Sequence, residues 1–208
     1  MKRVEQAAGT EAALKDAARR VFARKGYLNT KITDVTTEAG RAAGSFYNHF
    51  TSKEDLLTSL LADLLAESDR DAAAEDAQHS ADFTDRAAVR WHVAAYWRFY
   101  ARHTVELTAL RQAALVNAEF GAQMQALIDR DIGHLRDHLD PITAAGRTLP
   151  GRPDVVLAMF AGLLDGFGSH WQMSGGRLGD RHVGEDEAID ALTDFIYRAL
   201  NGPAAKAL

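Results

Sequence analysis

Arg41, Ala43, Gly44 and Ser45 stand together at the start of a short periodic segment that runs on through Phe46, Tyr47 and Phe50. These types suit the edges of nucleic-acid bases. Arginine offers a fork of donors that matches the paired acceptors of guanine, the alanine methyl packs on a thymine methyl, and glycine lets the backbone come close. Thr30, Lys31, Tyr47, His49 and Lys53 surround that segment and are of the kinds that hold phosphates, which position a protein on a duplex without reading sequence. Other chemistries are poorly supported. The chain has no cysteine, which removes thiol catalysis, cysteine-based zinc sites and a disulfide framework together. Nothing has the form of a nucleophile elbow or a phosphate loop, and glycines 175, 176 and 179 follow a helical pattern, not the strand a dinucleotide fingerprint needs. His134 and His138, four apart, would share one face of an α-helix, but no third ligand stands at a clear spacing, so a solvated face is expected and no metal or cofactor.

The elements that must position these residues are helical. Ala and Leu number 38 and 22, against 10 Val and 6 Ile, which favours helices over sheets. Leu14, Ala17, Ala18, Val21 and Phe22 fall on one face of a helix expected to start near Thr10 and to stop at Gly26. A second, short helix carries Ile32, Val35 and Ala39 and stops at Gly40; a third begins at about Ala42. A short helix, a glycine-containing turn and another short helix make a helix-turn-helix. A capping box of Thr51 and Glu54 opens a long helix marked by Leu57, Leu60, Leu61 and Leu64, which fades into a helix tail and connector over residues 67 to 82. Further helices are expected over about 82 to 103, 104 to 117, 119 to 139 (ending at Asp140-Pro141), 153 to 173 and 185 to 200. That makes about nine in all, with no convincing strand.

The net charge of −5 over 208 residues looks unfavourable to nucleic acid, but it is unevenly spread. Residues 1 to 60 hold ten basic and seven acidic side chains, a net of +3, leaving −8 for the remainder. Residues 1 to 6 lead into no apolar stretch, so no secretory signal is expected. The longest near-unbroken apolar run, residues 155 to 164, is well short of the roughly 18 that suggest a membrane span, so a cytoplasmic protein without membrane contact is expected.

Residues 22 to 57 carry a resemblance. Gly26-Tyr27, Thr30, Ile32, Asp34-Val35, Glu38-Ala39-Gly40, Gly44-Ser45-Phe46-Tyr47, His49-Phe50, Ser52-Lys53-Glu54 and Leu56-Leu57 closely resemble the DNA-binding domain of the tetracycline-repressor (TetR) family of transcription regulators. The resemblance implies an all-α homodimer: a three-helix DNA-binding domain over 1 to 55, and a helical bundle over 56 to 208 for ligand binding and dimerisation. It implies a regulator and not an enzyme, most often a repressor, which leaves a palindromic double-stranded operator when a small-molecule effector binds. Two departures bear on the operator. The family more usually has an apolar residue where Arg41 stands, and a polar cap and a polar or basic residue where Ala42 and Ala43 stand. The alternatives are a regulator that activates or answers to a protein partner, and a helical carrier or enzyme that kept the fold without binding DNA.

In the body, aromatic and polar residues gather where a bundle is deepest. Trp91, Trp97, Tyr100, His103 and Asn117 come from the earlier helices, and Phe120, Met124, Phe167, His170 and Trp171 from the later ones. An apolar cavity with a few polar groups is the usual ligand site, so a small and largely apolar effector is expected, unidentified by the sequence. Ala158, Gly162 and Gly166 form a small-residue stripe that permits close approach of a helix. With Ile189, Leu192 and Ile196 it is the expected dimer interface.

Overall fold

A computed structural model describes residues 2–74 and 80–202, with side chains from Ala7 onward. Among the described residues the architecture is helical: α1 (Lys2–Lys25), α2 (Ile32–Glu38), α3 (Ala43–Tyr47), α4 (Lys53–Ala74), α5 (Arg86–Arg102), α6 (Thr104–Val116) and α7 (Ala118–Ile132). A 3-10 segment (Gly133–Leu139) follows, then α8 (Asp140–Ala144), α9 (Pro153–Met173), a small hairpin and α10 (Glu185–Asn201). The chain packs as two units, Met1–Glu67 with His103–Ala126, and Ser68–Arg102 with Leu127–Leu208. The boundary expected at residues 55 and 56 falls inside α4, and the first unit takes in α6.

In the first unit the periodicity of α1 places Leu14, Ala17, Ala18, Val21 and Phe22 inward, all buried. The helix begins at Lys2, ahead of the expected Thr10, which is a buried interior residue. Leu56, Leu57, Leu60, Leu61 and Leu64 of α4 and Ala109, Leu110 and Ala113 of α6 are also buried. Arg19 Nε donates to the buried Glu106 at 2.8 Å, and the Tyr27 amide donates to Gln112 Oε1 at 3.0 Å; both bonds tie α6 to the end of α1. The cap of α4 lies one residue later than the box expected from Thr51 and Glu54. The Ser52 hydroxyl accepts the Asp55 amide at 3.1 Å, and the Asp55 carboxylate accepts the Thr51 amide at 2.8 Å.

The second unit surrounds α5, which is apolar on two sides. Val89, Val93, Trp97 and Tyr100 are buried, while Trp91, Ala95 and Phe99 are half-buried. Val89, Val93 and Trp97 join Leu135, Leu139, Ile142, Val156, Phe160, Leu164, Ile189, Leu192 and Ile196 in one core. Along the antiparallel α5–α10 contact runs a ladder of charges: Arg86 reaches Asp194 at 2.6 Å and Asp190 at 3.8 Å, and Arg90 reaches Asp190 at 2.7 Å and Asp186 at 3.7 Å.

Three expectations are corrected here. The single helix expected over 119 to 139 changes at Gly133 into 3-10 geometry, so His134 and His138 do not share a face. His134 is exposed, whereas His138 is buried with its ring 5.1 Å from Phe83 and 4.9 Å from His92. Asp140-Pro141 opens α8 instead of ending a helix, because the first turn needs no amide from Pro141. The glycine-rich loop contains a hairpin, β1 (Arg177–Leu178) pairing antiparallel with β2 (Arg181–His182), Arg177 opposite His182. The helix tail and connector expected over 67 to 82 is helical to Ala74, as the tail requires, and residues 75–79 lie outside the described ones.

Candidate nucleic-acid interface

The turn between α2 and α3 is built from backbone hydrogen bonds. Gly40, with φ +64°, closes α2: its amide donates to Thr37 O at 3.1 Å and the Arg41 amide to Thr36 O at 2.8 Å. This pairing needs a left-handed residue at the glycine position, which a side chain would strain. It delivers Arg41 to the surface just ahead of α3. No side chain caps α3, whose N-cap is Ala42. Five residues cannot hold a helix alone. Phe46 does so by full burial, its ring 5.5 Å from that of Phe50.

That anchoring turns the opposite side of α3 outward. Ala43, Gly44 and Tyr47 are exposed, Tyr47 to 62%, and Ser45 and His49 are half-buried. A Cβ on Gly44 would meet nothing within 4 Å, so no neighbour in this protein demands a glycine there. Lys31 and Arg41 flank the face, both exposed and without an ion-pair partner among the described residues. The other described cations of residues 7–60 are engaged. Lys15 meets Asp63, Arg19 meets Glu106 and Asp16, Arg20 and Arg24 share Glu38, and Lys25 meets Asp34.

Two of the expected phosphate contacts have internal duties. Thr30 is buried, with its hydroxyl donating to Gly26 O at 2.7 Å. The Lys53 ammonium donates to Thr30 O at 2.7 Å and Tyr27 O at 3.1 Å, and sits 4.2 Å from the centre of the Tyr27 ring. Burial lowers the Lys53 pKa. The Tyr27 hydroxyl donates to Glu54 at 2.5 Å, and burial together with that bond pushes its pKa up. Burial alone would raise Glu54, but hydrogen bonds from Tyr27 and Ser52 outweigh it and bring the carboxyl down. The first turn of α4 is thereby fastened to the α1–α2 connection. Nothing in the pattern of apolar residues announces this fastening, since a lysine and a glutamate side by side read as a solvated helix start.

Two carboxylates hold α2 against α1. The bond from Arg20, then that from Arg24, keeps Glu38 below the usual carboxylate range, and Lys25 with the Lys31 amide does the same for Asp34. Depressed values mean that the ionised forms stabilise the fold above the unfolded range, near 3.8 to 4.5, and that this contribution disappears as pH falls through the lower folded values. The far-UV melting temperature of the first unit is expected to fall on acidification below about pH 4.5 and to fall less in Glu38→Gln. Equal losses in the two proteins would remove Glu38 from the account.

The expected ligand and dimer residues are dispersed between the units. In the first unit His103 is buried, its Nε2 3.2 Å from Glu67; Asn117 accepts the Phe120 amide at 3.0 Å and so caps α7; Phe120 is buried and Met124 half-buried. In the second, Trp97 and Tyr100 are buried, Trp91, Phe167 and Trp171 half-buried, and His170 exposed. Ala158, Gly162 and Gly166 are exposed on α9. Ile189, Leu192 and Ile196 are corrected as interface residues: they are buried in the protomer's own core, and the large apolar residue that α10 exposes is Phe195, at 61%. No helix among the described residues is long and apolar enough to cross a membrane.

Known proteins agree with this geometry. The sequence pattern described as "Bacterial regulatory proteins, tetR family" matches residues 14–60. The HTH-type transcriptional repressor NicS of Pseudomonas putida is 30% identical over 149 residues, which are 70% of this chain and 66% of that protein. Two solved structures share the fold. The fatty acid degradation regulator FadR of Bacillus halodurans has a TM-score of 0.68 at 20% identity and covers 95% of this chain and 97% of its own. FadR of Bacillus subtilis, in complex with stearoyl-CoA, has a TM-score of 0.67 at 20% identity and covers 93% and 99%. With a helix-turn-helix that matches in order and a helical body of the same fold, the chain belongs to the TetR family of bacterial regulatory proteins.

Proposed function

We propose that the chain is an effector-responsive transcriptional regulator, most directly a repressor, that binds a palindromic operator as a homodimer in the cytoplasm. In this reading residues 1–55 bind DNA, and residues 56–208 bind the effector and dimerise. The observation that carries it is the exposed face of α3 with Lys31 and Arg41 beside it, without an ion pair among the described residues where the neighbouring cations are engaged. Arg41, Ala43, Gly44 and Ser45 face bases. Lys31, Tyr47 and His49 face phosphates, while Lys53 and Thr30 hold the frame behind them and Lys53 keeps one donor for a phosphate. The repressor name of the P. putida relative supports the direction of control. The stearoyl-CoA held by the B. subtilis protein supports a largely apolar effector, bound among the aromatic residues of the body. Effector binding acts to the extent that it favours one arrangement of the two heads over another.

Selection of bound fragments from genomic DNA, followed by titration with salt, tests this. Lys31→Ala should weaken binding to every retained fragment and flatten the salt slope by about one unit, whereas Arg41→Ala should change which sequences are retained. If the two variants behave alike, the assignment of base and phosphate contacts is wrong. If the wild-type protein retains no fragment, the DNA-binding reading fails.

A further inference from the structure

The Trp171 indole donates to Val183 O at 3.0 Å, and the Tyr96 hydroxyl donates to Asp165 at 3.0 Å. Trp97 is 2% exposed, and its Nε1 is buried with no hydrogen-bond partner among the described residues. Leaving a donor unpaired in a core is costly. A water is a poor remedy, because an ordered water needs about two to four polar partners and the rings beside Trp97 are Trp171, at 5.0 Å between centres, and Phe167, at 5.9 Å. Both rings are only half-buried, so the unpaired donor lies beneath aromatic cover that is itself partly open.

We propose that Trp97 reads the effector: its indole N–H takes a neutral hydrogen-bond acceptor, a ketone, ester or amide carbonyl, on an otherwise apolar molecule that enters between Phe167 and Trp171. The inference rests on the reading of the body as effector-bearing. It goes further in specifying an acceptor and not a donor, since the Trp97 indole N–H is a donor. A neutral acceptor is specified because the two rings packed on Trp97, those of Phe167 and Trp171, carry no formal charge.

The near-isosteric probes 2-acetylnaphthalene and 2-ethylnaphthalene differ in one carbonyl oxygen and test the idea on the full-length protein. The chain has three tryptophans, hence three indole N–H resonances in a 15N-labelled sample, and the one missing from Trp97→Phe identifies Trp97. Should that variant fold poorly, Trp91→Phe and Trp171→Phe assign it by elimination. The acetyl probe should bind about tenfold more tightly than the ethyl probe and move the Trp97 resonance, and the preference should vanish in Trp97→Phe. A preference that survives in Trp97→Phe, a Trp97 resonance that does not respond, or failure of both probes to bind overturns the proposal. Retention of genomic fragments by the protein without probe tests the regulator reading separately. If retention fails while the acetyl preference holds, the acceptor site stands and the regulator reading falls.

Discussion

An alanine at Phe46 is expected to abolish sequence-selective DNA binding while leaving the second unit folded. Phe46 is fully buried, and α3 has five residues and no side-chain cap, so no other large side chain of that helix holds it in place. Removing a buried phenylalanine ring costs roughly 3–5 kcal/mol. Against a total stability of about 5–15 kcal/mol for a domain, that is enough to release a peripheral element or to unfold its unit. The tryptophans lie at 91, 97 and 171, all in the second unit, so their fluorescence reports that unit by itself. Phe46→Ala should lose selected fragments and shift the far-UV melt, with the tryptophan-detected transition in place. Retention of fragments within about threefold of wild type would show that α3 is held by something other than this ring.

Gly162→Glu is expected to yield a monomer that no longer binds the operator. Gly162 and Gly166 are exposed, a Cβ at either would meet nothing within 4 Å, and Val155 and Met159 beside them are 48% and 45% exposed. A face of small residues and solvent-exposed apolar side chains suits an isologous helix contact with a second copy. In the proposed homodimer a glutamate there brings two like charges together while leaving the protomer core untouched. Operator binding falls with it, because the two α3 helices must enter major grooves about 34 to 36 Å apart as one body. Sedimentation should give half the wild-type mass, and tryptophan fluorescence an unchanged protomer. A dimer persisting in Gly162→Glu would move the interface elsewhere.

What the sequence made legible was whatever rests on local periodicity. The buried stripe of α1 follows from spacing three or four residues apart, and the starts of α9 and α10 and the glycine turn ahead of Arg41 from the residue types at the helix ends. The misreadings come from contacts that spacing does not encode. Ile189, Leu192 and Ile196 form a faultless apolar stripe, but a stripe does not say whether its partner is α5 of the same chain or a second subunit. Lys53 looks like a surface cation until two carbonyls from the α1–α2 connection are found beneath its ammonium. The bond from Arg19 to Glu106 joins residues 87 apart, so the membership of α6 in the first unit had no local signature. Ser52 and Thr51 are both good caps, and only the bonds formed with Asp55 choose between them.

The ladder between α5 and α10 has teeth of equal pitch: Arg86 and Arg90 on one rail, Asp186, Asp190 and Asp194 on the other, each four residues apart. Sliding α10 by one turn so that Asp190 takes the place of Asp194 would restore both pairs, Arg86 with Asp190 and Arg90 with Asp186. The opposite slide would set Arg86 against Arg198. Charge therefore forbids one direction and is indifferent to the other. The permitted slide is stopped by the apolar stripe, since it would carry Glu185 into the buried place of Ile189. Ile189 is thus the pawl of this ratchet, and the alignment of α10 is set by the cost of burying a carboxylate, not by the ion pairs that decorate the seam.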